Sequence, residues 1–218
     1  PYTESGEVFK IPDMLSNRAD IYNLGDMLSG QREVFELSYI ENSLTANSVL
    51  APLANRNLND LYKFIENAKG ANNPLNEFEY TYSQAEANEI IDVLKKMLEI
   101  QKVVLKVNQQ YIASAATADK YRTEPPFKLQ GSYRNMNKMS EKIVSAMNNN
   151  EVQSMILDHY LGEAQTLTQG TEENLLKLKE ILQVLSPEED ARLIEIRKDF
   201  MRNKSSGGDD LDGLGKIA

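Results

Sequence analysis

The chain has 218 residues with no cysteine, no tryptophan and a single histidine, His159, and aromatic residues make up only 7% of it. Without cysteine there is no disulfide framework, no thiolate metal site and no thiol nucleophile, which suits a reducing compartment and leads us to expect a cytoplasmic protein. With few aromatics, the core must be mainly aliphatic. Apolar runs are short throughout, so no membrane span is expected, and no signal peptide opens the chain. Positive charge is also scarce: 24 Lys and Arg stand against 33 Asp and Glu, a net charge of -9. A pI near 4.8 argues against a broad nucleic-acid face, because neutralising phosphates needs a large basic surface. Familiar catalytic signatures are missing as well: no Walker-type phosphate loop, no G-x-S-x-G elbow and no H-E-x-x-H motif occurs.

What the chain does have is helical periodicity. Residues 1–28 read as an extended arm, since Pro1, Gly6 and Pro12 oppose helix, with Ile21–Leu24 as a short extended candidate. The opening Pro1-Tyr2-Thr3, without an initiator Met, reads as a fragment of something longer. A first helix is expected over Gln31–Asn42, with Val34, Leu37, Ile40 and Leu44 as its apolar stripe, and a second over Asn57–Lys69. The longest follows. Ser83 and Glu86 form a capping signature, and no Gly or Pro interrupts the pattern until about Ala118. Ile91, Leu94, Leu98, Gln101, Leu105, Asn108 and Ile112 alternate four and three apart, and added valines widen the stripe, so this helix reads as the spine of an intramolecular bundle.

Pro125-Pro126 then break the chain before a helix expected over 131–147, with Met136, Met139, Ile143, Val144 and Met147 facing inward. Further helices should open near Glu151, at Thr171 and at Pro187, the last announced by Ser186-Pro187-Glu188-Glu189, a capping box with proline in the first turn. From Asn203 the Ser-, Gly- and Asp-rich sequence reads as a flexible tail. The expected fold is all-α: a multi-helix bundle around a long central helix (83–118), with an arm (1–28), a helical region (29–150), C-terminal helices packed on it (151–202) and a disordered tail (203–218).

Candidate chemistry is sparse. Carboxylates fall at spacings that suit solvated helix faces, so no paired acid–base site is indicated. His159, beside Asp158 and four residues before Glu163, could belong to a metal site, but a structural or surface histidine fits better, and no metal is expected. Met136, Met139, Met147 and Met155 suit core filling better than a docking groove. Between Lys120 and Lys142 six cations (Lys120, Arg122, Lys128, Arg134, Lys138, Lys142) face only Glu124 and Glu141, a basic island in an acidic chain. Arg134 lies on the first turn of the helix expected at 131–147. Free N–H groups and a partial positive charge make that turn a plausible anion seat, the alternative being a solvated charged helix start. Arg18 ends a short turn just before an extended segment, where it could instead satisfy carbonyls or pair with Asp13 or Asp20.

Ile11-Pro12-Asp13-Met14-Leu15 through Arg18 to Asn23-Leu24-Gly25-Asp26, with the later Gly131-Ser132-Tyr133-Arg134-Asn135-Met136-Asn137-Lys138, resembles the end of the core and the helical lid of AAA+ ATPases. More narrowly it is similar to the C-terminal part of large bacterial AAA+ proteins described as DNA-repair ATPases. The resemblance implies that Arg134, in a Gly-x-x-Arg motif with Gly131, is a sensor-2 arginine touching the terminal phosphates of ATP. It implies that Arg18 is an arginine finger reaching a neighbouring subunit's nucleotide. Both roles suit an always-charged planar guanidinium. The phosphate-binding lysine and the acidic Mg-binding motif would belong to an upstream core, so this stretch alone should neither hold ATP nor hydrolyse it. Its partners would be that core, neighbouring subunits and an unknown protein or nucleic-acid substrate, with no membrane. The competing expectation is a non-catalytic helical scaffold that binds partner helices through its long helix.

Overall fold

Ser83 opens the helix with the most partners in the bundle. The computed structural model describes residues 24–56 and 58–212, with side chains over 31–56 and 58–205. Its eight helices are α1 (Leu24–Ser43), α2 (Ala51–Ala54), α3 (Leu58–Ala68), α4 (Gln84–Ala116), α5 (Tyr133–Ser140), α6 (Asn149–Gln165), α7 (Thr171–Leu182) and α8 (Pro187–Asp212), and no strand occurs among the described residues. The fold is all-α, as the periodicity predicts. No helix among the described residues is long and apolar enough to cross a membrane.

α4, at 33 residues, is roughly 50 Å long. Ser83 caps it, its Oγ accepting from the Glu86 N–H at 3.2 Å, while the Glu86 carboxylate pairs with Arg56 at 2.9 Å. The helix touches α1, α3, α5, α6 and α7. That many partners explains a correction to the expected seam. Leu94, Leu98 and Gln101 are buried, but the dry face turns to Ile90, Val93, Met97, Ile100, Val104 and Val107, and Ile112 is exposed. A heptad seam serves one partner on one side, whereas α4 is surrounded over much of its length, and each fully buried Leu, Ile or Met there contributes about 2 kcal/mol. Gln101, a polar residue on the expected seam, donates to the Glu36 carbonyl of α1.

At one end of α4, α3 contributes Leu61, Phe64 and Ile65 to the core, with Phe64 4.6 Å from the Phe78 ring and 4.8 Å from Tyr82. Asp60 is fully buried and staples the following loop: its carboxylate accepts from the N–H groups of Glu79 (2.9 Å) and Tyr80 (3.0 Å) and from the Tyr82 hydroxyl. Along the middle of α4 lie α1, α5 and α6, whose Ile40, Met136, Met139, Ile156 and Tyr160 join one continuous hydrophobic cluster with α4. Met136 and Met139 are fully buried, and Met147 and Met155 pack against the cluster, so the methionines fill core.

Other expectations need correction. α1 begins at Leu24, so residues 24–28 are helical, not extended; the break comes at Gln31 (φ -132°, ψ 28°), just after the weak helix formers Ser29 and Gly30. The rest of the expected arm, residues 1–23 with Arg18, lies outside the described residues. Val34 is 64% exposed instead of facing the core. The helix expected over 131–147 occupies only Tyr133–Ser140. Asn47 supplies the reason: its buried Nδ2 donates to the carbonyls of Ser140 and Ile143, both at 2.9 Å. A continuing helix would have needed those two acceptors for the N–H groups of residues 144 and 147. Val144 accordingly faces out, 54% exposed. The capping box at Ser186 forms as predicted, with both reciprocal bonds to Glu189. α8 then runs as helix to Asp212, past the Asn203 start of the expected tail; 213–218 lie outside the described residues.

Candidate functional site

Gly131 determines how closely the start of α5 approaches the spine. A Cβ at this buried position would sit 1.9 Å from the Val104 carbonyl oxygen and 2.6 Å from the Asn108 N, both backbone atoms of α4, so no other residue fits without moving a helix. What Gly131 supplies is clearance. Its carbonyl accepts from the buried Tyr39 hydroxyl at 2.9 Å, and burial, aided by neighbouring Tyr133, pushes that phenol up to about 12. Tyr133 stacks at 4.4 Å on Tyr39 and shares a 2.7 Å hydrogen bond with Ser38.

Ser132 and Asn135 then close a capping box. The Ser132 hydroxyl accepts from the Asn135 N–H, and the Asn135 Oδ1 accepts from the Ser132 N–H at 3.2 Å. The Met136 N–H bonds the Ser132 carbonyl, which leaves the N–H groups of Tyr133 and Arg134 without an acceptor among the described residues. Below, Ser43 donates to Asn137 and Asn47 ends the helix, so the eight residues of α5 are fixed at both ends. On the far side the Asn135 amide meets His159 of α6, Nδ2 to Nε2, at 3.0 Å.

Arg134 occupies the second position of this anchored turn and is exposed. Each other arginine with a described side chain is paired with a carboxylate: Arg32 with Glu36, Arg56 with Glu86, Arg122 with Asp119, Arg192 with Glu172 and Glu195, Arg197 with Glu124 and Glu180, Arg202 with Asp199. Arg134 has no hydrogen-bond or ion-pair partner among the described residues. A guanidinium held on a rigid turn, beside two outward N–H groups and a helix N-terminus, is suited to meeting an anion.

The basic island does not survive as one patch. Arg122 folds back onto the carbonyls of Ser114 (3.0 Å) and Thr117 (2.8 Å) at the end of α4, and Lys128 reaches the Gln169 carbonyl at 3.3 Å. Lys120 lies over the Tyr121 ring, and Lys138 is 3.8 Å from Glu163. Arg134, Lys138 and Lys142 remain on the α5 side. Arg18 lies outside the described residues, so its relation to Arg134 is not part of this geometry. His159 is half-buried and turned to Asn135, Asp158 is exposed, and no group of three His, Asp or Glu that could hold a metal occurs among the described residues. Sequence reading missed Asn47 and Asn135, and it singled out His159 without its contact to Asn135. The Ser132-x-x-Asn135 spacing was the one signal that could have marked Asn135.

Compared with protein-family models, with curated proteins and with solved structures, the chain has no match.

Proposed function

We propose that this chain is the helical lid region of an AAA+ ATPase, a lever that senses nucleotide state through Arg134 and passes lid motion to neighbouring subunits. The observation that carries the reading is Arg134 itself, exposed and free of carboxylates on a turn closed by a capping box, while the other arginines with described side chains are committed to ion pairs. Tyr133 supports it by docking on Ser38 and Tyr39, which ties the turn carrying Arg134 to α1, the first described helix. ATP and Mg2+ would be held by that core. From this chain they would receive a planar guanidinium and two backbone N–H groups, placed to offset charge on the terminal phosphates. Lid rotation would reach α4 through the Gly131 contact, and the remodelled substrate would be a protein or nucleic acid outside this chain. The Arg18 finger belongs to the same proposal.

The rival scaffold reading, with α4 binding partner helices, meets the difficulty that Ile90, Leu94, Met97 and Val104 are already covered by the chain's own helices. Direct binding of DNA through the basic island meets the dispersal of its cations.

The test is ATP hydrolysis by the complete ATPase that contains this chain. Arg134→Ala should lower the turnover rate about 10²–10³-fold, the scale of losing one pre-positioned transition-state donor, with Arg134→Lys recovering only part of it. Hydrolysis at the unaltered rate in Arg134→Ala would overturn the proposal.

A further inference from the structure

The start of α5 meets α6 in one polar contact whose protons can be placed by chemistry alone. The Ser132 backbone N–H can only donate, so the Asn135 atom that it reaches at 3.2 Å is the carbonyl Oδ1. The other end of that amide, Nδ2, carries two protons and no lone pair, and it lies 3.0 Å from Nε2 of His159. Nε2 must therefore be unprotonated, which puts the single proton of the neutral ring on Nδ1. An imidazolium has no lone pair to offer Nδ2. Turning the Asn135 amide over would satisfy the imidazolium but would set an NH2 group against the Ser132 N–H. A protonated His159 and an intact capping box exclude each other.

We propose that His159 is a proton-operated clasp: its neutral ring holds Asn135, and with it the first turn of α5, and taking up a proton releases that turn. The ring is half-buried between α5 and α6, with Tyr160 edge-on beside it at 5.3 Å. The charges that bear on it are Glu163, one turn further along α6, and Lys138 and Lys142 on the α5 side; α4 and α7, which also pack on α6, add none among the described residues. Glu163 favours the imidazolium, but Lys138 stands 3.8 Å from that carboxylate, and both lysines oppose the imidazolium. Burial is the largest influence and holds His159 below its usual 6.5. The unfolded chain therefore takes the proton first. Stability that is complete above pH 6.5 is lost as pH falls from there through the lower folded-state value. Arg134 is the neighbour of Asn135, so the clasp also positions Arg134; only this last step rests on the ATPase reading.

His159 is the chain's only histidine, so 15N NMR of the full chain reads its ring directly. The expected result is an Nδ1–H tautomer at neutral pH, a protonation midpoint below 6.5, and backbone amide shifts of Ser132 and Asn135 that follow the same midpoint. A neutral ring protonated on Nε2, or Ser132 and Asn135 amides indifferent to the titration, overturns the clasp. Asn135→Asp keeps an acceptor for Ser132 and sets a carboxylate against Nε2, so the midpoint should rise; a midpoint left at the wild-type value counts against the clasp equally. His159→Gln, whose amide oxygen accepts from Asn135 at any pH, should keep the fold and abolish the pH response of the two amides, and persistence of that response overturns the idea. None of these readings involves nucleotide, so an inert Arg134→Ala would remove the ATPase proposal and leave the clasp standing.

Discussion

Two corners of the bundle are held by opposite means. Where α7 and α8 meet the proline loop, the work is done by charge: Arg197 forks onto Glu180 at 2.8 and 2.7 Å and also reaches Glu124, while Lys177 lies 2.9 Å from both carboxylates. The hydrogen bonds from Arg197, with help from Lys177, hold the Glu180 carboxyl down at about 2. At the start of α5 almost nothing is charged. Close backbone approach at Gly131, a buried tyrosine hydroxyl, a Ser–Asn capping box and neutral amides fix the turn. The arginines of the first corner are spent on architecture. The single arginine of the second is free because neutral groups already do the fastening.

That contrast can be tested by breaking each corner in turn. The largest loss should come from Gly131→Ala, since the added Cβ meets backbone that cannot swing aside; we expect about 3 kcal/mol of destabilisation in urea unfolding. An unchanged midpoint would mean that α4 and α5 can separate at no expense. Asn47→Ala, which leaves the buried Ile143 carbonyl without its donor and the Ser140 carbonyl with only the Ile143 N–H, should follow at about 2 kcal/mol. Arg197→Met should remove about 1 kcal/mol at neutral pH, because its partners are partly exposed and screened. Its sign with pH is fixed by Glu180. A carboxyl lowered in the folded state adds stability that is complete above pH 4.5 and is lost as pH falls toward about 2. The difference between Arg197→Met and wild type should therefore shrink over that interval. A difference that stays constant in acid would remove charge pairing as the explanation of that corner.

Local signals made part of this legible. The length and cap of α4 follow from Ser83 and an uninterrupted run, and the α8 start follows from Ser186 and Glu189, because each depends on neighbours within one turn. The end of α5 was hidden, because the residue that stops it, Asn47, lies 93 positions before Ser140. The buried face of α4 was hidden for a related reason: which side of a helix is dry depends on how many partners surround it, not on its own spacing. Arg134 could be placed on a first turn from Gly131 and Ser132 alone. The Asn135–His159 contact could not, since it joins two helices whose relative position is a tertiary fact.

The smallest effect on stability is expected at Arg134, and its smallness is informative. Truncating an exposed side chain with no hydrogen bond or ion pair among the described residues removes no polar interaction, so Arg134→Ala should shift the unfolding free energy by less than about 0.5 kcal/mol. Arg197→Met, at an arginine that is partly buried where Arg134 is exposed, should lose more, since its charge is engaged by Glu124 and Glu180. Measuring both variants in the same urea series sets an idle guanidinium against an engaged one. If Arg134→Ala falls as far as Arg197→Met, Arg134 has a structural partner, neutral fastening of the α5 turn is not sufficient, and any loss of ATP hydrolysis in that variant would have to be read as damage to the fold before it could be read as loss of a phosphate contact.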